Sequence, residues 1–121
     1  MLDLDRAGRS ELPMTETHPI DRLFEVIRSR KGADPETSYT AKLFAQGTLK
    51  IAKKLGEEGV ETALAGVAES EDALVGESAD LLYHLLVLWA ARGLEPAAVY
   101  RALDSRTHRS GLQEKASRNP D

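Results

Sequence analysis

The 121-residue sequence predicts an all-α fold, a bundle of about five helices. Apolar residues recur at helical spacing in successive segments. Glycine, proline and helix-capping residues separate those segments. No stretch shows the alternation and paired turns of a β-hairpin, and there is no internal repeat or low-complexity tract.

The first helix starts near Ile20, with Leu23, Phe24 and Ile27 on one face, and stops near Lys31-Gly32, where glycine suits a C-terminal cap. Asp34-Pro35-Glu36 is a turn. Thr37 or Ser38 caps a short second helix that runs through Ala45. The third helix spans about Thr48 to Ala68, with Leu49, Ala52, Leu55, Ala63, Leu64 and Val67 as an apolar face. Gly56, Gly59 and Gly66 each cost it about 1 kcal/mol relative to alanine, which close helix packing or ligand access to the backbone would explain. Ser70 caps the fourth helix and Glu71 and Asp72 complement its dipole. That helix continues to about Arg92, and Gly93 ends it. Pro96 opens a fifth helix, about Glu95 to Thr107, with Val99, Ala102 and Leu103 as the buried face. The folded domain is expected over 19–108, between a flexible extension at 1–18 and a polar tail at 109–121. The fourth helix is apolar almost all round from Leu81 to Trp89, so it should sit centrally and in part at a subunit interface.

A net charge of -4 leaves no basic field to hold nucleic acid. The absence of cysteine excludes disulfides, thiolate metal sites and a cysteine nucleophile, and fits a reducing cytoplasm. The first residues include Asp3, Asp5 and Arg6 and offer no signal-type apolar segment, and the run Leu81–Ala91 is too short to cross a bilayer. The expected location is cytoplasmic, with no membrane partner.

The chemistry lies in a gap in positive charge. Between Leu55 and Ala91 there is no Lys or Arg, yet the stretch holds Glu57, Glu58, Glu61, Glu69, Glu71, Asp72, Glu77 and Asp80. Glu57-Glu58-x-x-Glu61 and Glu77-x-x-Asp80 place carboxylates side by side on helix faces. If the third and fourth helices form an antiparallel hairpin turning near Glu69, Glu61 faces Glu77 and Glu58 faces Asp80. Each ionised pair then repels by about 4 kcal/mol at about 4 Å and an effective dielectric near 20, so a proton or a cation must relieve the cluster. The donors are hard oxygens, which favour magnesium, or manganese, over zinc. Glu69 is read as solvated, and Glu71 and Asp72 as dipole complements. Lys54 shares the face of the glutamates, with Lys50 and Lys53 nearby. These lysines either form weak intrahelical ion pairs or, in the case of Lys54 above all, meet phosphate oxygens beside the metal. His84 either orients a carboxylate or water or is a hydrogen-bonded core residue.

The segments SYTAKLFAQGTLKIAKKLGEEGVE, from Ser38 to Glu61, and ESADLLYHLLVL, from Glu77 to Leu88, resemble the phosphoribosyl-ATP pyrophosphohydrolase family, within the MazG-type all-α nucleotide pyrophosphohydrolases. The resemblance covers about Ile20 to Arg106. The acidic groups are shared by the superfamily, whereas the SYT, KxxGEE and DLLYH runs point to this member. One departure is Gly59, where the family more often has alanine. The resemblance implies magnesium-dependent hydrolysis of phosphoribosyl-ATP to phosphoribosyl-AMP and pyrophosphate, the second step of histidine biosynthesis. It implies Glu58, Glu61, Glu77 and Asp80 as metal ligands, Glu57 or Glu61 as the base for the attacking water, and Lys54 with Lys50 as cations for the triphosphate. Ser38 and Tyr39 are either substrate contacts, through hydroxyl and ring, or a helix cap and a core tyrosine. It further implies a homodimer. In some organisms this domain is fused to the cyclohydrolase of the next step; with no room for that domain and no cysteine–histidine metal cluster here, a separate cyclohydrolase is expected. Two other readings stay open: a housecleaning nucleoside-triphosphate pyrophosphohydrolase using the same acids, and a non-catalytic helical dimer that only binds a cation.

Overall fold

The computed structural model describes residues 17–107, and all regular structure among them is helical. The expectations for the N-terminal extension and for the C-terminal tail lie, but for residues 17 and 18, outside that range. Five helices follow in order: α1 (Pro19–Ser29), α2 (Tyr39–Gln46), α3 (Thr48–Ala68), α4 (Glu71–Ala91) and α5 (Pro96–Arg106).

Their ends are set by local chemistry. Pro19 and Pro96 occupy first turns, where a missing N–H costs nothing. The His18 ring accepts from the Ile20 amide at 3.1 Å and caps α1. Ser38 and Ser70 accept from the amides of Ala41 and Ala73, both at 3.1 Å, capping α2 and α4. Gly47 separates α2 from α3 with φ 98°, a conformation that strains any residue with a Cβ.

α3 and α4 form a long antiparallel hairpin with the most extensive contact in the molecule. α1 and α2 pack on α4, and α2 also packs on α3. The core collects Phe24 and Ile27 of α1, Leu43 of α2, Ile51 of α3, and Leu86, Val87 and Ala90 of α4. α4 is therefore the central helix, as its apolar circumference predicts. At 21 residues it is long and apolar enough to span a bilayer, unlike the run Leu81–Ala91 alone. It also carries Glu71, Asp72, Glu77 and Asp80 and buries His84, Leu86, Val87 and Ala90 against its neighbours, which suits the core helix of a bundle.

Two expected faces turn out differently. On α3 the chain buries Ile51 and Ala65 and half-buries Leu55, while Leu49 (86% exposed), Leu64 and Val67 (87%) point outward with Ala52 and Ala63. α3 carries small and apolar residues on two arcs, and α4 covers only one. On α5, Pro96 is buried and Val99 and Tyr100 are half-buried, whereas Ala102 and Leu103 are exposed. Tyr100 instead ties α5 to α1, donating to the Asp21 carboxylate at 2.8 Å. The helical glycines are not demanded by tight packing within the chain. A Cβ would meet open space at Gly56 and ordinary contacts at Gly59 (Leu81, 3.9 Å) and Gly66 (Leu74, 3.8 Å).

Candidate active site

The α3–α4 hairpin brings the two acidic groups together. Glu58 from α3 and Glu77 and Asp80 from α4 each offer a carboxylate oxygen, and these oxygens lie within 4.8 Å of one another. Glu61 is on the same spot, since its carboxylate lies within hydrogen-bonding reach of Glu77. The register is slightly displaced from the simple hairpin expectation: the Thr62 side chain, rather than Glu61 alone, lies against Glu77. Helical spacing on both strands of the hairpin nevertheless keeps all four acids in one group.

The carboxylates of this cluster act on one another electrostatically. Burial pushes the Glu77 carboxyl above its ordinary range, and the charges of Glu61, Glu58 and Asp80 push it further in the same direction. No Lys or Arg reaches the cluster: among the described residues no ion pair within 4.0 Å involves Glu58, Glu61, Glu77 or Asp80. One oxygen each of Glu58 and Glu77 is buried and lacks a hydrogen-bond partner. Buried acceptors of this kind are costly unless a proton or cation satisfies them. The residues present fit a hard divalent cation: oxygen donors only, on two helices, with two buried acceptor oxygens that have no hydrogen-bond partner.

The other sequence candidates surround this centre in different ways. Glu57 is exposed on α3 and is not one of the carboxylates that gather around Glu77. Glu69, Glu71 and Asp72 are exposed at the hairpin tip, Glu71 and Asp72 in the first turn of α4. Lys50 and Lys54 are half-buried and Lys53 is exposed, and none forms an ion pair among the described residues. The intrahelical salt bridges open to them are thus not made, which leaves the ammonium groups available. Ser38 is committed as the α2 cap acceptor but keeps its own proton to donate. Tyr39 is 52% exposed and so is not a core tyrosine. Its ring lies 6.4 Å from that of Tyr83, near-parallel at 23°, and meets the His84 ring edge-on.

His84 is buried, and its Nδ1 donates to the backbone carbonyl of Asp80 at 2.8 Å. That bond fixes the tautomer and leaves Nε2 as an acceptor, buried and without a partner. The ring therefore holds the α4 backbone at Asp80, not the Asp80 carboxylate. Tyr83, not singled out by sequence, is anchored by a 2.5 Å hydrogen bond with Thr40. Burial raises its phenol above the ordinary value. Thr62 joins the site through its contact with the Glu77 backbone, and its one signal in the sequence is a threonine inside an acidic helix segment, four residues after Glu58. A cleft of about 770 Å³ between α1 and α5 contains none of the four converging carboxylates.

Fold and site together define an all-α protein with a carboxylate centre shared by two antiparallel helices. The family model for phosphoribosyl-ATP pyrophosphohydrolase matches residues 20–107. The phosphoribosyl-ATP pyrophosphatase of Paramagnetospirillum magneticum is 62% identical over 99 residues, covering 82% of this chain and 91% of that protein. Its namesake in Azospirillum brasilense is 60% identical over 82% of this chain and 89% of its own length. The one in Paracoccus denitrificans is 52% identical over 87% and 99%. The chain belongs to the phosphoribosyl-ATP pyrophosphohydrolase family.

Proposed function

We propose that this protein hydrolyses phosphoribosyl-ATP between its α- and β-phosphates, releasing pyrophosphate and phosphoribosyl-AMP in the second step of histidine biosynthesis. The observation that carries the reading is the convergence of Glu58, Glu77 and Asp80, with two buried, unpartnered carboxylate oxygens, in a chain of this family. Glu58, Glu61, Glu77 and Asp80 would hold magnesium, with manganese able to replace it. Held by these four carboxylates, such an ion would supply Lewis-acid withdrawal of charge from the attacked phosphorus and stabilisation of the pyrophosphate leaving group. Glu57 and Glu61, both exposed, are open to water, and one of them orients the attacking molecule and takes its proton. Lys54 and Lys50, without an ion pair among the described residues, meet the triphosphate oxygens. The Ser38 hydroxyl donates to the substrate, and the exposed Tyr39 ring, backed by Tyr83, offers a face for stacking.

The outward apolar arc of α3 is covered by a second copy of the chain. Val60, Leu64 and Val67 repeat at i, i+4 and i+7, all more than half exposed, beside the small residues Gly56 and Ala63. We further assign the next step of the pathway to a cyclohydrolase acting on the released phosphoribosyl-AMP.

The test is pyrophosphate release with magnesium, offering phosphoribosyl-ATP beside ATP, dCTP and dUTP, with Glu61→Gln as control. Release from phosphoribosyl-ATP alone, abolished in the variant, is the expected result. Preference for a simple triphosphate moves the protein to the housecleaning reading, and no release from any nucleotide overturns catalysis altogether.

A further inference from the structure

The Thr62 hydroxyl touches the backbone of both halves of the acidic centre. Its Oγ1 lies 2.7 Å from the backbone carbonyl of Glu58 on its own helix and 3.0 Å from the backbone carbonyl of Glu77 on α4. The first contact is ordinary back-bonding of a helical threonine to the residue four before it. The second is not, because it crosses to another helix. Each helical carbonyl has a second lone pair to spare, so the hydroxyl proton is shared between two acceptors already engaged in their helices.

The two residues held this way are the same two whose carboxylates carry a buried oxygen without a partner. A backbone carbonyl carbon is one bond from its Cα, so the hydroxyl pins the Cα atoms of two ligand residues on different helices. Repulsion among ionised carboxylates opposes the close approach of α3 and α4 at this level, and the Thr62 bridge acts against it. Magnesium accepts only near-octahedral oxygen geometry at short distances, whereas calcium accepts a looser shell. A group that sets ligand spacing across the hairpin therefore matters more for the smaller ion.

We propose that Thr62 is a positioning residue that fixes the spacing of Glu58 and Glu77 and so sets the affinity and selectivity of the centre for a small divalent cation. The inference rests on the metal reading given under Proposed function. Direct binding of manganese, followed by electron paramagnetic resonance and competed with magnesium or calcium, tests it in wild type, Thr62→Val and Thr62→Ser. Thr62→Val, which keeps the shape and removes the hydroxyl, should weaken manganese and magnesium about 10–100-fold, as loss of a ligand-orienting partner does, and calcium less. Thr62→Ser, which restores the hydroxyl, should bind manganese within about threefold of wild type, a small part of that penalty.

Wild-type affinity in Thr62→Val overturns the proposal, as does a Thr62→Ser variant as weak as Thr62→Val. If valine prevents folding, Thr62→Ala removes the same hydroxyl without a branched side chain and is read against the same outcomes. A wild-type protein that binds no manganese overturns the metal reading and this inference with it.

Discussion

Replacing Gly59 by alanine should stabilise the protein, although the residue lies between two carboxylates of the site. Gly59 is inside α3, its backbone is helical, and a Cβ built there meets only the Leu81 side chain at 3.9 Å, an ordinary van der Waals distance. The gain is then the difference in helix propensity, about 1 kcal/mol, arising largely from the narrower unfolded ensemble of alanine. For a domain of this size that raises Tm by about 4–8 °C. Gly47→Ala should act in the opposite direction. Space is open there too, but φ is 98° and ψ 167°, a region in which a residue with a Cβ costs about 1–3 kcal/mol. The assay is thermal unfolding followed by circular dichroism in EDTA, so that bound metal does not mask the difference. A Gly59→Ala variant that melts at or below wild type refutes the reasoning, because something absent from the single chain would then occupy the space beside Gly59. A neutral Gly47→Ala would refute the strain argument in the same way.

Two further outcomes follow from the site and from the outer face of α3. Glu77 has its proton affinity raised in the folded state, so the metal-free fold binds more protons than the unfolded chain between the ordinary carboxylate value of 4.5 and the raised one. Stability in EDTA should therefore fall as pH rises through that window, and saturating magnesium should reverse the trend because it binds the deprotonated form; a melting temperature in EDTA that rises across the window contradicts the strained cluster. Val60→Glu, placing a charge in the outward apolar arc of α3, should convert a dimer to a monomer in sedimentation while leaving helix content unchanged. An unaltered sedimentation coefficient would remove this face from the interface.

Most of the helical layout was legible because helix ends are local. Ser38, Ser70, Pro96, Gly47 and Gly93 act through their own backbone or the next turn, and the observed ends fall within about two residues of those expected, the usual spread in defining a helix end. The acidic centre was legible for a related reason. Carboxylates at helical spacing on two consecutive helices meet whenever those helices pair, and small displacements in register leave them on the same patch.

The sequence by itself thus determined the number and approximate bounds of the helices and, given a hairpin of α3 with α4, the approach of Glu58, Glu61, Glu77 and Asp80, all of which depend on residues near in the chain or on one short connection. The tertiary structure alone decided that Ile51 and Ala65, not Leu49 and Val67, face the core, that Tyr39 stays exposed, that His84 bonds the Asp80 backbone, and that Thr62 bridges to Glu77. Those outcomes depend on which surface of a neighbouring helix is presented and at what register. α3, apolar on two arcs, carries no periodic signal that distinguishes the arc covered by α4 from the arc left outside.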